Sequence, residues 1–330
     1  MKRTAKAAAR RRSKLLPAAK AAISHSQKPK LKKQISETEG ENEASKSIEL
    51  LLIKRIASSE HDSCRPMNLQ DLVYNFTPET KRYAYKSGFA TGELAAIHFP
   101  GALTLERILA AAGLGKVIYY PFPDAVKITS ARKMLSFSFG TNSHMFESGL
   151  IAGFLSKETG RRVEAIETHC MLNNSSFCQF EASRRIDPYL GLTYIGRFDK
   201  LSELLAEGID AEPCSFNSDY YLISLLPLLQ KPLLNSVSKL MYILGKRLGE
   251  ERPEAKSEIP KILRYLHIPG NVSENMHAIN LQYPHELSMS GFVLLSTFLL
   301  RGYIATAMKL RSSLLQRVSK GAYIVSIKTE

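Results

Sequence analysis

His144 to Ala182 reads HMFESGLIAGFLSKETGRRVEAIETHCMLNNSSFCQFEA, and its texture changes twice. Asn142 or Ser143 stands where a helix N-cap belongs, and the run that follows is apolar at helical spacing up to Gly160. RRVEAIETH and FCQFEAS then favour strand and are joined by the turn-forming Asn173-Asn174-Ser175-Ser176. A helix feeding an antiparallel hairpin is the expected unit.

Upstream, helical periodicity covers Ser47–Ala57 and a short LQDLVYNF segment. Thr77-Pro78 opens a longer helix, with proline at its first position, and Leu103–Ala112 forms another closed by Gly113 and Gly115. Lys116–Pro121, Ala125–Thr129 and Lys133–Gly140 read as strands. Helices followed by an antiparallel sheet with one inserted helix make an α+β domain over 48–190.

Charge separates a tail from this body. The 330 residues carry 45 Lys and Arg against 31 Asp and Glu, a net +14. Residues 1–33 hold twelve basic side chains and no acidic one, so 34–330 is close to neutral. Residues 1–47, basic and then acidic, read as a disordered tail. Arg10, Arg11 and Arg12 are its candidate nucleic-acid contacts, and a solubilising tail is the alternative. An apolar content of 44% excludes global disorder, and four cysteines exclude a disulfide scaffold. No secretory signal or membrane span is expected, because Arg301 interrupts the run from Gly291 to Met308. A cytoplasmic protein follows.

His144, Glu167, Cys170 and Cys178 are the candidate metal ligands. The hairpin brings Cys170 and Cys178 together, Glu167 precedes Cys170 by three positions, and His144 starts the preceding helix. Two sulfurs, one nitrogen and one carboxylate oxygen suit tetrahedral zinc. Two packed thiols beside a surface acid are the alternative.

This 39-residue stretch resembles the vinyl-4-reductase domain family. Ser148-Gly149, Gly153 and Gly160 fall where that pattern wants small residues, and the interval from first ligand to Glu matches its zinc-binding, aromatic-sensing members. Their first ligand is a cysteine; here it is His144. The resemblance implies a twisted antiparallel sheet with helices packed on one side, shared with subunits of the Golgi trafficking particle. It also implies a small hydrophobic or aromatic ligand beside a structural zinc. His98, Phe122 and Phe146 are the candidate ligand contacts on that basis, with Phe137, Phe139 and Phe154 as further apolar lining. The aromatic sensors also use a Trp, which this chain lacks.

The C-terminal half repeats this texture. Ser290-Gly291 and Gly302 echo Ser148-Gly149 and Gly160, and YIATAM echoes the strand RVEAIE. In that register Glu286, Lys309, Ser312 and Lys320 replace the four ligands. Residues 215–330 therefore read as a degenerate, metal-free second copy after a linker at 191–214, and the pair as a homodimer or an intramolecular pseudo-dimer. The leading functional reading is a ligand-binding regulatory or sensor module. A nucleic-acid-linked regulator is one alternative, and a tetrapyrrole-related enzyme or carrier, like the bacteriochlorophyll member of the family, is another. No catalytic motif is present, so a non-enzymatic role is favoured.

Overall fold

Thr77 accepts a hydrogen bond from the Thr80 backbone N–H at 3.2 Å, and the Thr80 hydroxyl accepts in return from the Thr77 N–H at 3.0 Å. This reciprocal cap, with Pro78 at the first helical position, starts the 21-residue helix Pro78–His98 where the sequence places it. The chain, seen in a computed structural model, is described over residues 46–60, 69–114, 117–121, 125–130, 143–170, 178–210, 217–229, 231–253, 255–266, 272–275, 278–284, 292–309, 312–319 and 322–329. The basic tail with Arg10, Arg11 and Arg12, the strand expected at 133–140, and Phe122, Phe137 and Phe139 lie outside these residues.

In chain order the helices and strands are α1 (46–57), α2 (Leu69–Tyr74), α3 (Pro78–His98), α4 (Ala102–Leu109), β1 (Val117–Pro121), β2 (Ala125–Ser130), α5 (Met145–Thr159), β3 (Glu164–His169) and β4 (Cys178–Ser183). There follow α6 (Phe198–Asp210), α7 (Ser218–Leu225), α8 (Lys231–Glu251), α9 (Ala255–Tyr265), β5 (Val272–Asn275), β6 (Ala278–Pro284), α10 (Phe292–Ala307), β7 (Ser312–Ser319) and β8 (Ala322–Thr329). Two antiparallel four-stranded sheets form, in the orders β1-β2-β4-β3 and β5-β6-β8-β7. The α+β class holds.

Glycine decides how closely the helices cross. A Cβ on Gly88 or Gly92 of α3 would stand 1.9 or 2.1 Å from the carbonyl oxygens of Phe146 or Leu150 on α5. On Gly149 or Gly153 of α5 it would stand 2.0 Å from those of Tyr85 or Phe89. The two backbones touch, and the pair packs with α5 on β3 and β4. Along β3 and β4 the inward positions Ala165, Glu167, Cys178, Phe180 and Ala182 are buried.

The second half has the same order of elements. The helices α3 and α8, each of 21 residues, begin 153 positions apart (78 to 231), as do α4 and α9 (102 to 255) and β2 and β6 (125 to 278). Gly245 of α8 meets the Leu299 carbonyl and the Tyr303 nitrogen as Gly92 meets those of Leu150 and Phe154, and Gly302 meets the Tyr242 carbonyl as Gly153 meets that of Phe89. Gly302 therefore corresponds to Gly153, not to Gly160. Helix contacts and strand register place Val293, Gln316 and Tyr323 at the positions of His144, Glu167 and Cys178, in place of Glu286, Lys309 and Lys320. Val318 pairs with Tyr323 in place of Ser312, where Cys170 adjoins Cys178.

Two other expectations are corrected. YIATAM lies within or just past helix α10, since the apolar run continues the helical face begun at Phe292. The segment 191–214 contains α6, an amphipathic helix burying Leu201, Leu204, Leu205 and Ile209. Contacts divide the chain into Met1–Ile48, of which 46–48 are described, and Glu49–Glu330, which holds both sheets. Among the described residues no helix is long and apolar enough to cross a membrane.

Candidate metal centre

His144 occupies the N-cap position of α5, one residue past the expected Ser143, but makes no side-chain cap; the other expected cap, Asn142, lies outside the described residues. The ring turns inward instead. Its Nδ1 lies 2.5 Å from Glu167 Oε1, 3.6 Å from Cys170 Sγ and 4.0 Å from Cys178 Sγ. Each of the four residues offers a donor atom within 4.8 Å of all the others, and all four are buried.

Glu167 and Cys170 are three apart, which on a regular strand would put them on opposite faces. A register shift between Glu167 and His169 changes this. The extra residue, Thr168, bonds sideways to Gln179, so His169 turns to solvent and Cys170 inward beside Glu167. Without the bulge, thiol and carboxylate would not converge.

The carboxylate is held from behind. Glu167 Oε2 accepts from the backbone N–H groups of Ser143 at 2.8 Å and His144 at 3.1 Å. Asn75 donates to the Ser143 carbonyl at 3.0 Å and to that of Asp71 at 2.8 Å, tying this turn to α2. Such outer partners fix the direction in which a ligating group points.

Burial acts to raise the Glu167 carboxyl, but the His144 charge and hydrogen bond outweigh it and hold the acid below its ordinary range. The two thiols divide in the same spirit. Burial and the bond to Cys178 push the Cys170 thiol up, whereas the hydrogen bond from Cys170, against burial, brings Cys178 down to about 6.

The donor set fits a tetrahedral ion. Zinc bonds of about 2.3 Å to sulfur and 2.0 Å to nitrogen leave those two atoms about 3.5 Å apart. The nitrogen–sulfur separations of 3.6 and 4.0 Å are close to this, whereas the 2.5 Å hydrogen bond between His144 Nδ1 and Glu167 Oε1 would open to about 3.3 Å around an ion. Cys170 and Cys178 are thiols, not a disulfide.

Residues 126–184 match the family model of the vinyl-4-reductase domain. The chain carries a vinyl-4-reductase domain. The match runs from β2 to just past β4 and includes all four donors. Neither a curated protein nor a solved structure matches the chain.

The two described candidate ligand contacts, Phe146 and His98, are not brought together. Phe146 is buried in the core between Tyr74, stacked at 6.3 Å, and Tyr220, edge-on at 6.3 Å. His98 is exposed in the last turn of α3, beside Phe99. A groove of about 440 Å³ instead lies in the second half, lined by Ser238, Lys239, Tyr242, Ile243, Phe298 and Arg301. It opens where Ser238 takes the position of Tyr85, whose buried ring reaches Glu164 at 2.6 Å and the Ala165 N–H at 3.0 Å. Pocket shape of this kind leaves no periodic trace in sequence.

Proposed function

We propose that this protein is a regulatory or sensor module that binds a small hydrophobic or aromatic molecule and is braced by one structural zinc. The observation that carries the reading is the buried four-donor cluster inside the matched domain. His144, Glu167, Cys170 and Cys178 would hold the ion, and four protein ligands leave no open position for activating water. A zinc bound there supplies a cross-link between the start of α5 and the strands β3 and β4. The protein's own residues do the rest: the bulge at Thr168 aims Cys170, and the Ser143 and His144 amides aim the carboxylate.

The chain is further read as two copies of one unit, the second without metal. Equal element order, equal strand order and the matching glycine contacts support this. Helices meet across the halves in exchanged pairs, in keeping with a pseudo-dimer. Helix α1 reaches α7 through Arg55 and Asp219 at 3.1 Å, and α6 reaches the end of α2 through Phe198 against Phe76 at 4.9 Å. The apolar groove between α8 and α10 is the candidate ligand site.

Native mass spectrometry of the full chain tests both parts. One zinc per chain is expected, together with retention of a phenol or alkylbenzene that Ser238→Tyr abolishes. A chain that binds zinc but none of these compounds would remove the ligand half of the proposal.

A further inference from the structure

Lys81 is fully buried in the first turns of α3, an unusual place for an ammonium. Tyr85 and Phe89 of α3 lie against Gly149 and Gly153 of α5, so Lys81, one turn before Tyr85 on the same face, comes level with Met145 and next to the buried His144, where the charges of Glu167 and Cys170 act on it. An isolated buried cation is strongly unfavourable unless a compensating charge is close.

The charges of the loaded site show what that compensation achieves. One carboxylate, two thiolates and a neutral imidazole sum to −3; Lys81 brings this to −2. A divalent ion then leaves the buried site neutral, whereas without Lys81 it would keep an uncompensated negative charge. The second half supplies an independent observation. The position of Lys81 in α3 is that of Leu234 in α8, and there Val293, Gln316, Val318 and Tyr323 stand in place of the four donors. Cation and ligands are missing together.

We propose that Lys81 is the positioning residue that balances the charge of this site and so makes it specific for a divalent ion. The inference rests on the metal-site reading above. Lys81 does not ligate; its ammonium offsets the second thiolate, allowing both sulfurs to remain deprotonated around the ion.

The test titrates the full chain with zinc alone against a chromophoric chelator, for the parent, Lys81→Met and Lys81→Arg. Lys81→Met is expected to lower zinc affinity 10–100-fold, the range typical of outer partners of a metal site. Lys81→Arg should keep affinity within about threefold, because the charge is what matters. Cobalt substituted for zinc should give the same thiolate-to-metal absorption in all three, showing an unchanged ligand set. Parent affinity in Lys81→Met, or loss of affinity in a folded Lys81→Arg, would each overturn the proposal. A parent that binds no zinc would instead remove the metal-site reading itself.

Discussion

Gly149→Ala is expected to destabilise the protein, although alanine is the better helix former. In favour of the substitution stands about 1 kcal/mol of helix propensity. Against it stands geometry: the new Cβ would lie 2.0 Å from the Tyr85 carbonyl oxygen, 2.8 Å from its carbon and 2.9 Å from the Phe89 nitrogen. Ordinary contact begins near 3.5 Å, so α3 and α5 would have to part by roughly 1.5 Å. All three obstacles are backbone atoms, which cannot rotate away. A gap of that size forfeits more than a quarter to a half of the dispersion along the seam, and overpacking alone costs about 1–3 kcal/mol. The net expectation is a loss of about 2 kcal/mol, read as a lower urea midpoint with unchanged slope. His144 lies five residues before Gly149, so zinc affinity should fall as well. Gly160→Ala is the control: its φ of 63° strains a side chain, but nothing lies within 4 Å, so stability should drop by about 1 kcal/mol with zinc affinity unchanged. A Gly149→Ala protein as stable as the parent would refute the close crossing.

The metal-free protein should gain stability as pH rises from about 6 towards 8. Cys178 titrates near 6 when folded and in the ordinary thiol range, about 8.5, when unfolded, so the unfolded chain binds more protons across that window. Above it the trend should reverse, because the raised Cys170 keeps its proton while the unfolded thiol loses it. Urea midpoints across pH 5–10 check this, and the difference from Cys178→Ser removes the separate contribution of Lys81, which burial lowers to about 8 against the attraction of Glu167 and Cys170. Tyr220→Phe should cost about 1–3 kcal/mol, since it takes a 2.8 Å hydrogen bond from the buried Glu147 carboxylate; Glu147→Gln with Tyr220 retained should cost less.

What could be read in the sequence was local. The Thr77-Pro78 start and the spacing of Glu167, Cys170 and Cys178 sit within a few residues of one another, so their chemistry is visible without a fold. The bulge at Thr168 was not, although it alone puts Glu167 and Cys170 on one face: strand parity depends on which partner residue each one meets. Lys81 was invisible for a related reason, since a lysine in an amphipathic helix reads as solvent-facing until the neighbouring acids are placed in space. The likeness of the two halves was legible as texture but misregistered: sequence pairs Gly302 with Gly160, whereas the facing carbonyls of Tyr242 and Phe89 pair it with Gly153. Helix α6 was hidden by the Gly- and Pro-containing segments around it, and its leucines declare themselves only once they meet a core.

The central claim is that four buried donors hold one structural zinc. Metal analysis of the purified full chain beside its Cys170→Ser/Cys178→Ser variant tests it most directly, with thermal unfolding before and after a chelator. One zinc per parent chain, none in the variant, and a lower unfolding midpoint for the parent alone after chelation are expected. A parent chain that carries no zinc, takes up none when supplied, and unfolds at the same temperature as the variant would contradict the account.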